Sequence, residues 1–392
     1  MKIFYLSLTA VVALTAHSAM AQAQAQQSNS GNNHIKIEKG GVYIGEGTKA
    51  EGTYTGGTKS VAVGKDAKVA ESGVAVGFEA NAAHEGATAV GKTAKAQSYA
   101  VAMGFQANAG TQAISIGKDS KATGNFAVAV GDEAVASKLS SAFGARAKAE
   151  GEYSTAFGWA ANAKGEASTA LGWQATASGK RSQAIGPQAT ASGEGSLSFG
   201  SGVHTTKDNS FSMGRNIKNN GTKTVAIGNN IDVTTDNSVF LGDGSRYTAQ
   251  SDVSGGIGKV DGNYAGADAK GIVSVGSKGN ERRIQNVAAG LLSHRSTDAV
   301  NGSQLHATNQ RVEEVNKDAK AGIATAMAFK EVPFVPGKWS YAAGAARYSS
   351  ESAVSLNLGR TSNDGKWAVS GGMSSDSRGR LGFRVGVSGV FN

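Results

Sequence analysis

The sequence predicts a mainly all-β protein made of three successive parts: a long repetitive solenoid, a short helical segment and four C-terminal strands. Three patterns in the 392-residue chain support this fold class. A short phrase recurs at an interval of thirteen or fourteen positions from residue 58 to residue 245, a heptad pattern of apolar residues begins at Leu305, and four alternating segments follow Pro336. The repeat is typical of a solenoid of short strands, the heptad pattern of a helix and the alternation of longer strands.

The beginning of the chain, residues 1–21, has the organisation of a secretory signal peptide. Lys2 precedes a short apolar core, and Ala19-Met20-Ala21 then offers a cleavage signal of the A-x-A type. The alternative is a transmembrane anchor, but the apolar run is shorter than the ~20 residues that such a helix needs. We expect cleavage after Ala21, with Ala23 and Ala25 as further candidates, and we assign residues 22–57 to an N-terminal lead-in.

The repeat is defined by a glycine that follows a large apolar residue. The interval between successive glycines is fourteen positions in nine cases and thirteen positions in four. In the first copy, Val61 and Val63 share one face of a strand while Ser60 and Ala62 share the other. A second short alternation follows each glycine, so two short strands and two turns fill the repeat. The unit therefore predicts one coil of a parallel β-solenoid, stacked ~4.8 Å from the next coil. The defining glycines are Gly64, Gly77, Gly91, Gly104, Gly117, Gly131, Gly144, Gly158, Gly172, Gly186, Gly200, Gly214, Gly228 and Gly242.

The second strand face of the repeat is made of small residues. The residue two positions before the glycine is Ala or Ser in every copy except the last, where it is Phe240. A single coil with such a face buries little apolar surface, whereas a narrow face lets neighbouring chains approach closely. We therefore expect the head, residues 58–245, to be a trimeric rod in which the small residues bring the chains together.

The segment after the repeats predicts a connector and neck over residues 246–303 and a helical stalk over residues 304–331. Leu305, Val312 and Ala319 occupy one core position of a heptad pattern, and Val315 occupies the other. About three heptads are marginal for an isolated coiled coil, so the pattern requires support from other parts of a trimer. An ordinary surface helix is the alternative.

The last part of the chain, residues 332–392, predicts a membrane anchor made of strands. Each of its alternating segments has ~10 residues with one apolar face, which is the pattern of an outer-membrane barrel. Four strands cannot enclose a lumen, and open sheet edges are not tolerated in lipid. Three chains would supply a closed twelve-stranded barrel. The predicted strands are Lys338–Tyr348, Glu351–Arg360, Lys366–Met373 and Leu381–Phe391.

Composition and motifs argue against several classes of function. The net charge of +9 is spread along the chain without a dense basic run, so we expect no nucleic-acid partner. The absence of cysteine excludes disulfides, a thiol nucleophile and cysteine-bound zinc. The six histidines are dispersed, and no HExxH, GxSxG or P-loop motif occurs. We expect no catalytic site, no cofactor and no metal site.

The position directly after the repeat glycine is a candidate binding surface. It accepts Lys, Asp, Phe and Trp in different copies, so we expect it to be exposed. Phe78 and Phe105 occupy this position, as do Trp159 and Trp173 on adjacent coils. Stacked tryptophans would offer a flat aromatic platform of the kind that binding surfaces favour. The alternative is that these rings pack against neighbouring turns or a partner chain.

Several phrases resemble the YadA-like family of trimeric autotransporter adhesins. KSVAVGKDA (59–67) is similar to the family's head repeat, ERRIQNVAAG (281–290) and DAVNGSQL (298–305) to its neck, and residues 337–372 to its membrane anchor. The resemblance implies a left-handed parallel β-roll head, a short trimeric coiled-coil stalk and a trimeric twelve-stranded anchor with four strands per chain. The family usually ends in an aromatic residue, whereas this chain ends Phe391-Asn392.

The resemblance also implies a location, partners and a function. Members lie in the outer membrane of Gram-negative bacteria, with barrel-assembly machinery as a partner, and export their own head to the cell surface. They attach cells to host cells or to extracellular matrix such as collagen, fibronectin or a glycosaminoglycan like hyaluronan. The alternative is a surface protein for autoaggregation, biofilm formation or serum resistance without direct attachment to matrix.

Overall fold

A computed structural model describes residues 35–38, 40–50, 59–248, 265–266 and 269–390. The predicted signal peptide with its cleavage site at Ala21 and the final Phe391-Asn392 lie outside the described residues. The chain divides into two compact units, residues 1–253 with 268–283, and residues 254–267 with 284–392.

The first unit is a parallel β-roll in which each coil contributes one short strand to each of two sheets. Within a sheet, equivalent residues of successive coils lie side by side, as Val63, Val76 and Val90 do. The first sheet contains 17 strands: Ile35–Glu38, Gly41–Ile44, Val61–Val63, Val74–Val76, Thr88–Val90, Val101–Met103, Ile114–Ile116, Val128–Val130, Ser141–Phe143, Thr155–Phe157, Thr169–Leu171, Gln183–Ile185, Leu197–Phe199, Phe211–Arg215, Val225–Asn229, Val239–Leu241 and Val273–Ser274.

The second sheet contains shorter strands that alternate with those of the first along the chain. Its 14 members are Lys49–Ala50, Lys68–Val69, Asn81–Ala82, Lys95–Ala96, Asn108–Ala109, Lys121–Ala122, Val135–Ala136, Lys148–Ala149, Asn162–Ala163, Thr176–Ala177, Thr190–Ala191, Val203–Thr205, Ile217–Asn219 and Asp232–Val233.

Both ends of the roll extend past the region of regular repeats. At the beginning, Gly41–Ile44 pairs in parallel with Val61–Val63 and antiparallel with Ile35–Glu38. At the far end, Val273–Ser274 pairs in parallel with Val239–Phe240. Arg282 donates hydrogen bonds from its guanidinium to the carbonyl oxygens of Asp243 (2.8 Å) and Val275 (2.5 Å). These contacts join the returning segment to the last regular coil.

The interior of the roll is built mainly from alanine. The prediction that the small residues lie between neighbouring chains is therefore wrong. Ala62, Ala75 and Ala89 are fully buried within their own chain, as are most alanines of the second sheet. The small residues therefore do not lie between chains. The two sheets of one coil face each other across an interior with room for little more than methyl groups, and close packing selects alanine there. The large apolar residues point outward instead, and Phe157 and Leu171 are 54% and 41% exposed.

The last coils of the roll have a larger and partly polar interior. Ile217, Ile231 and Phe240 are buried at positions where earlier coils carry small residues. Beside them, the hydroxyl of Ser198 hydrogen-bonds to that of Thr205 at 2.8 Å, and Thr205 bonds to Ser212 at 2.9 Å. Because these three hydroxyls satisfy one another, they can be buried together without the cost of an unpaired polar group.

Within the residues that the structure describes, the second unit contains one helix and a four-stranded antiparallel sheet. The helix spans Gly302–Ala328 and begins with a capping box, in which the Asn301 and Gln304 side chains each accept a hydrogen bond from the other's backbone N–H. The strands Trp339–Tyr348, Glu351–Thr361, Trp367–Asp376 and Leu381–Gly389 pair in chain order. The four predicted strands are confirmed. Among the described residues, no helix is long and apolar enough to cross a membrane.

Candidate functional surfaces

The repeat glycines form a column at one corner of the roll. All but the last have φ between +124° and +145°, a region that L-residues with a side chain rarely adopt. They also stack closely, because a Cβ added to Gly131 would lie 2.3 Å from the carbonyl oxygen of Gly144. The positive φ and the close contact between successive coils therefore each require glycine at this corner. The side chain that follows the glycine points outward.

The residues after these glycines form the predicted aromatic surface. The rings of Trp159 and Trp173 stack with centroids 6.0 Å apart and planes inclined by 15°, and the two residues are 42% and 46% exposed. Further along the same corner, the ammonium of Lys92 lies 5.7 Å from the ring centroid of Phe78 and 5.9 Å from that of Phe105. The structure thus brings both pairs to the surface, and their role in ligand binding stays a prediction.

A second exposed apolar column, which was not among the sites predicted from the sequence, lies at the opposite corner. Tyr99, Phe126, Leu139 and Tyr153 occupy equivalent turn positions with φ between +55° and +59°. Tyr99, Phe126 and Tyr153 are more than half exposed. The same conformation recurs at this turn in other coils, as at Gln112 and Ala167, so it belongs to the turn of the roll. The spacing of the apolar residues follows that of the repeat glycines, and this is the signal that would have revealed them.

The outward face of the first sheet is an apolar stripe that runs along the regular coils. Ile116, Phe143, Phe157 and Leu171 are each more than a third exposed, and the rings of Phe143 and Phe157 lie 6.1 Å apart. A continuous exposed apolar surface of this length is typical of an interaction site.

Most of the predicted stalk residues lie in the part of the helix, residues 305–317, that is exposed on every side in its own chain. Leu305, Val312 and Val315 are 57%, 61% and 50% exposed, and Ala319 is exposed as well. The part of the helix that packs on the sheet uses Ala321, Ala324 and Ala328, which are fully buried. The role of the exposed residues in a stalk core stays a prediction.

The four-stranded sheet has one small or polar face against the helix and one apolar face directed away from it. In the second strand, Ser355 and Asn357 are buried, while Leu356 and Leu358 are each 53% exposed. The Ser355 hydroxyl donates a 2.6 Å hydrogen bond to the carbonyl oxygen of Ala328, one of the last carbonyls of the helix. The predicted alternation in this strand is confirmed.

Charged side chains that were not among the predicted sites connect the helix and the segment after it to the end of the sheet. Arg378 lies 2.6 Å from a carboxylate oxygen of Asp318, and Arg380 pairs with the same carboxylate. The hydrogen bond from Arg380 and the two positive charges hold the pKa of Asp318 below its ordinary value of 3.8. Arg384 pairs in a similar way with Glu331. The partners lie more than fifty positions apart in the sequence, so no local pattern marks them.

The part of the chain that the structure describes contains no group of three or more His, Asp or Glu side chains placed to hold a metal ion.

Comparison with protein families matches all three parts of the chain. The coiled stalk of trimeric autotransporter adhesins matches residues 283–326, and the YadA-like membrane anchor domain matches residues 333–391. The YadA head domain repeat matches five stretches between residues 70 and 202. Together these matches cover more than half of the chain. The chain belongs to the YadA-like family of trimeric autotransporter adhesins. The YadA-like anchor fixes it in the outer membrane, with the head and stalk on the cell surface.

Similar YadA-like proteins come from several bacteria. The trimeric autotransporter adhesin AtaA of Acinetobacter sp. is 47% identical over 22% of this chain and 2% of that protein. The autotransporter adhesin BtaE of Brucella suis is 60% identical over 14% of this chain and 7% of that protein. The matched regions are therefore small parts of much longer relatives. The solved C-terminal YadA-like domain of a Burkholderia pseudomallei protein is 37% identical, with a TM-score of 0.26, over 33% of this chain and 58% of that one.

Proposed function

We propose that this chain is a homotrimeric adhesin that attaches bacterial cells to host extracellular matrix or host cells and exports its own head through its membrane anchor. The observation that carries the proposal is the anchor sheet, which has an apolar outer face and two edge strands that pair with no further strand among the described residues. The relatives are named autotransporter adhesins, and this supports the same class of function.

The anchor supports the trimer. Within the described part of the chain, Trp339–Tyr348 and Leu381–Gly389 each pair with one neighbour, so each leaves a row of backbone donors and acceptors at an edge. Phe383, Val385 and Val387 on the last strand are more than 70% exposed, which is suited to lipid. In lipid an unpaired edge costs several kcal/mol for each unsatisfied group, so the sheet must close on other copies. Three copies supply the twelve strands of a closed barrel, whose insertion would use the barrel-assembly machinery.

The exposed apolar surfaces of the head and the stalk also favour association with other chains. The apolar outward face of the first sheet would be covered if three parallel rolls packed around a common axis. The exposed residues Leu305, Val312, Val315 and Ala319 would meet across the axis of the stalk. Association of three chains would thereby bury the exposed apolar surface of the head and, within the other unit, bury that of the stalk and close the anchor.

For attachment, we infer that the head presents its aromatic corner to matrix. The stacked Trp159 and Trp173, with Phe78 and Phe105 on the same corner, offer rigid apolar surface of the kind that dominates binding energy. Collagen, fibronectin and a glycosaminoglycan such as hyaluronan are the candidate ligands.

The test is attachment of cells that display the protein. A non-adherent Gram-negative host would express the full chain or a variant without residues 58–245, and bound cells would be counted on collagen, fibronectin, laminin and hyaluronan. Gel analysis must show equal amounts of surface trimer. We expect binding to at least one matrix by the full chain alone. Equal binding with and without the head, or none with trimer present, would refute the adhesin proposal.

A further inference from the structure

The anchor sheet has one end towards the cell surface and one end towards the periplasm. The helix reaches the sheet at one end, where Asp318 pairs with Arg378 and Arg380. The chain leaves the sheet face at the other end, where Val332 packs against Gly359. Because the stalk lies on the cell surface and meets the sheet at the arginine pair, that end faces the cell exterior, and the end with Gly359 faces the periplasm.

Two arginines bracket the lipid-side face of the sheet, which is the apolar face directed away from the helix. The structure describes all four strands from end to end, and Arg347 and Arg360 are the only charged residues on this face. Arg347 pairs with Ser352 on the second strand. The stretch from Ser352 to Arg360 is close to the ~9–11 residues with which a tilted strand crosses the hydrocarbon of a membrane. Arg347 therefore lies at the cell-surface boundary of the hydrocarbon and Arg360 at the periplasmic boundary.

Arg360 lies between two tryptophans. Trp339 is its direct partner on the first strand, and the guanidinium carbon of Arg360 lies 5.8 Å from the centroid of the Trp339 ring. Trp367 is its diagonal neighbour on the third strand, because Arg360 pairs with Val369. No carboxylate among the described residues lies within ion-pair distance of Arg360. A guanidinium at the edge of the hydrocarbon without a protein counter-ion favours a phosphate from lipid, which its N–H donors can bind in pairs.

A groove on the same face begins beside Arg360. Gly371 lies between Leu358 on the second strand and Val385 on the fourth. A Cβ on Gly371 would meet no atom closer than 3.8 Å, so the space above this residue is open. The groove has a volume of about 550 Å³, and its apolar walls are Trp339, Leu356, Leu358, Met373, Phe383 and Val385. It runs from the level of Trp339 towards the middle of the sheet, and its apolar walls suit an acyl chain.

We propose that the anchor binds a glycerophospholipid of the periplasmic leaflet at this site. The phosphodiester contacts Arg360 between the two tryptophans, and one acyl chain lies in the groove above Gly371. The charge and the groove are adjacent because Gly371 is the other diagonal neighbour of Arg360 on the third strand. Tryptophan rings suit the boundary between headgroups and hydrocarbon. The site needs only the anchor's place in the outer membrane and is independent of what the head binds.

The experiment measures quenching of tryptophan fluorescence by phosphatidylglycerol that carries bromine on its acyl chains. The lipid is titrated into the full chain, purified in detergent without lipid. The parent and every variant also carry Trp159→Phe and Trp173→Phe, so that Trp339 and Trp367 give the whole signal. We expect quenching of the parent to saturate at a low lipid fraction. Brominated diacylglycerol, which has the same chains without phosphate, should require at least about a tenfold higher fraction.

The variants remove the two halves of the site separately. Arg360→Gln should raise the half-saturating lipid fraction at least about tenfold, whereas Arg347→Gln loses the same charge at the other boundary and should titrate like the parent. Gly371→Leu fills the groove and should also raise this fraction. Ser375→Leu adds the same side chain to the same face of the strand, opposite Val354, and should not raise it. Heat-resistant trimer on gels must be equal for all variants.

Three outcomes would overturn the proposal. Titration of Arg360→Gln like the parent, or equal quenching by diacylglycerol and phosphatidylglycerol, would show that no phosphate is bound at the arginine. Equal titration of Gly371→Leu and the parent would show that no acyl chain lies in the groove. A rise for Arg347→Gln as large as that for Arg360→Gln would show a general attraction of anionic lipid to positive charge instead of a site.

Discussion

Gly344, in the first anchor strand, faces the carbonyl oxygen of Ala328 at the end of the helix so closely that a Cβ on Gly344 would lie 2.0 Å from that oxygen. The same carbonyl accepts the hydrogen bond from Ser355 on the neighbouring strand. The end of the helix therefore packs directly on the sheet at Gly344 and Ser355. A side chain at residue 344 would push the helix away from the sheet.

We expect Gly344→Ala to destabilise the anchor by about 1–3 kcal/mol, the range for overpacking a close contact. Gly371→Ala is the matched control in the same sheet, because its added Cβ would meet no atom closer than 3.8 Å. The measurement is the heat resistance of purified trimer on gels, together with the amount of head on the cell surface. Equal heat resistance of the two variants would contradict the contact.

The Asp318 cluster predicts a dependence of anchor stability on pH. The folded-state pKa of Asp318 is lowered, so its contribution is complete above the ordinary value of 3.8 and is lost as the pH falls through the lowered pKa. The thermal midpoint of Asp318→Asn should lie below that of the parent at neutral pH and approach it in strong acid. Glu314→Gln, which removes an exposed pair with Arg311, should change the midpoint little at any pH. A difference for Asp318→Asn that is constant with pH would refute the role of the charge.

The glycine column predicts a sharp contrast between two corners of the roll. Gly131→Ala should unfold the adjacent coils, because the new Cβ would meet the backbone of Gly144 at 2.3 Å and the residue would keep a φ of +141°. Gly195→Asn should be tolerated, because Asn209 and Asn237 occupy the equivalent turn on later coils with φ of +53° and +49°. Limited proteolysis of displayed heads would compare them, and equal resistance would show that the column is not essential.

The outward apolar stripe predicts where the chains of the head meet. We expect Phe157→Asp with Leu171→Asp to weaken association of the heads, because two charges would be buried without partners. Lys148→Asp with Thr176→Asp on the second sheet is the control, since both residues lie on the outward polar face. Chemical crosslinking between heads would be counted on intact cells. Unchanged crosslinking in the first variant would place the contact elsewhere.

The tryptophan pair predicts a loss of adhesion. Trp159→Ala with Trp173→Ala should weaken attachment by about 2 kcal/mol or more if the pair is the centre of the binding surface. The paired substitution Tyr99→Ala and Tyr153→Ala at the opposite corner removes a similar exposed area and should leave attachment in place. Unchanged attachment by the tryptophan variant, at equal levels of surface trimer, would refute the ligand-binding role.

The elements that depend on local periodicity could be predicted from the amino-acid sequence. The glycine spacing gives the coils, and strict alternation gives the four anchor strands and the two faces around Leu356 and Leu358. The anchor strands could be predicted because a strand returns its side chains to the same face at every second position. The coils could be predicted because each coil repeats the same short sequence around a regularly spaced glycine.

Which strand face lies inside, and which residues distant in sequence meet, follow only from how the sheets and the helix pack. The alternation of Ala62 with Val61 and Val63 has two faces, and only the narrow space between the two sheets assigns alanine to the interior. The last coils add Phe240 where that space widens. The pairing of Asp318 with Arg378 and Arg380 depends on how the helix lies on the sheet. Contacts between residues so far apart in sequence follow from packing, which no local pattern encodes.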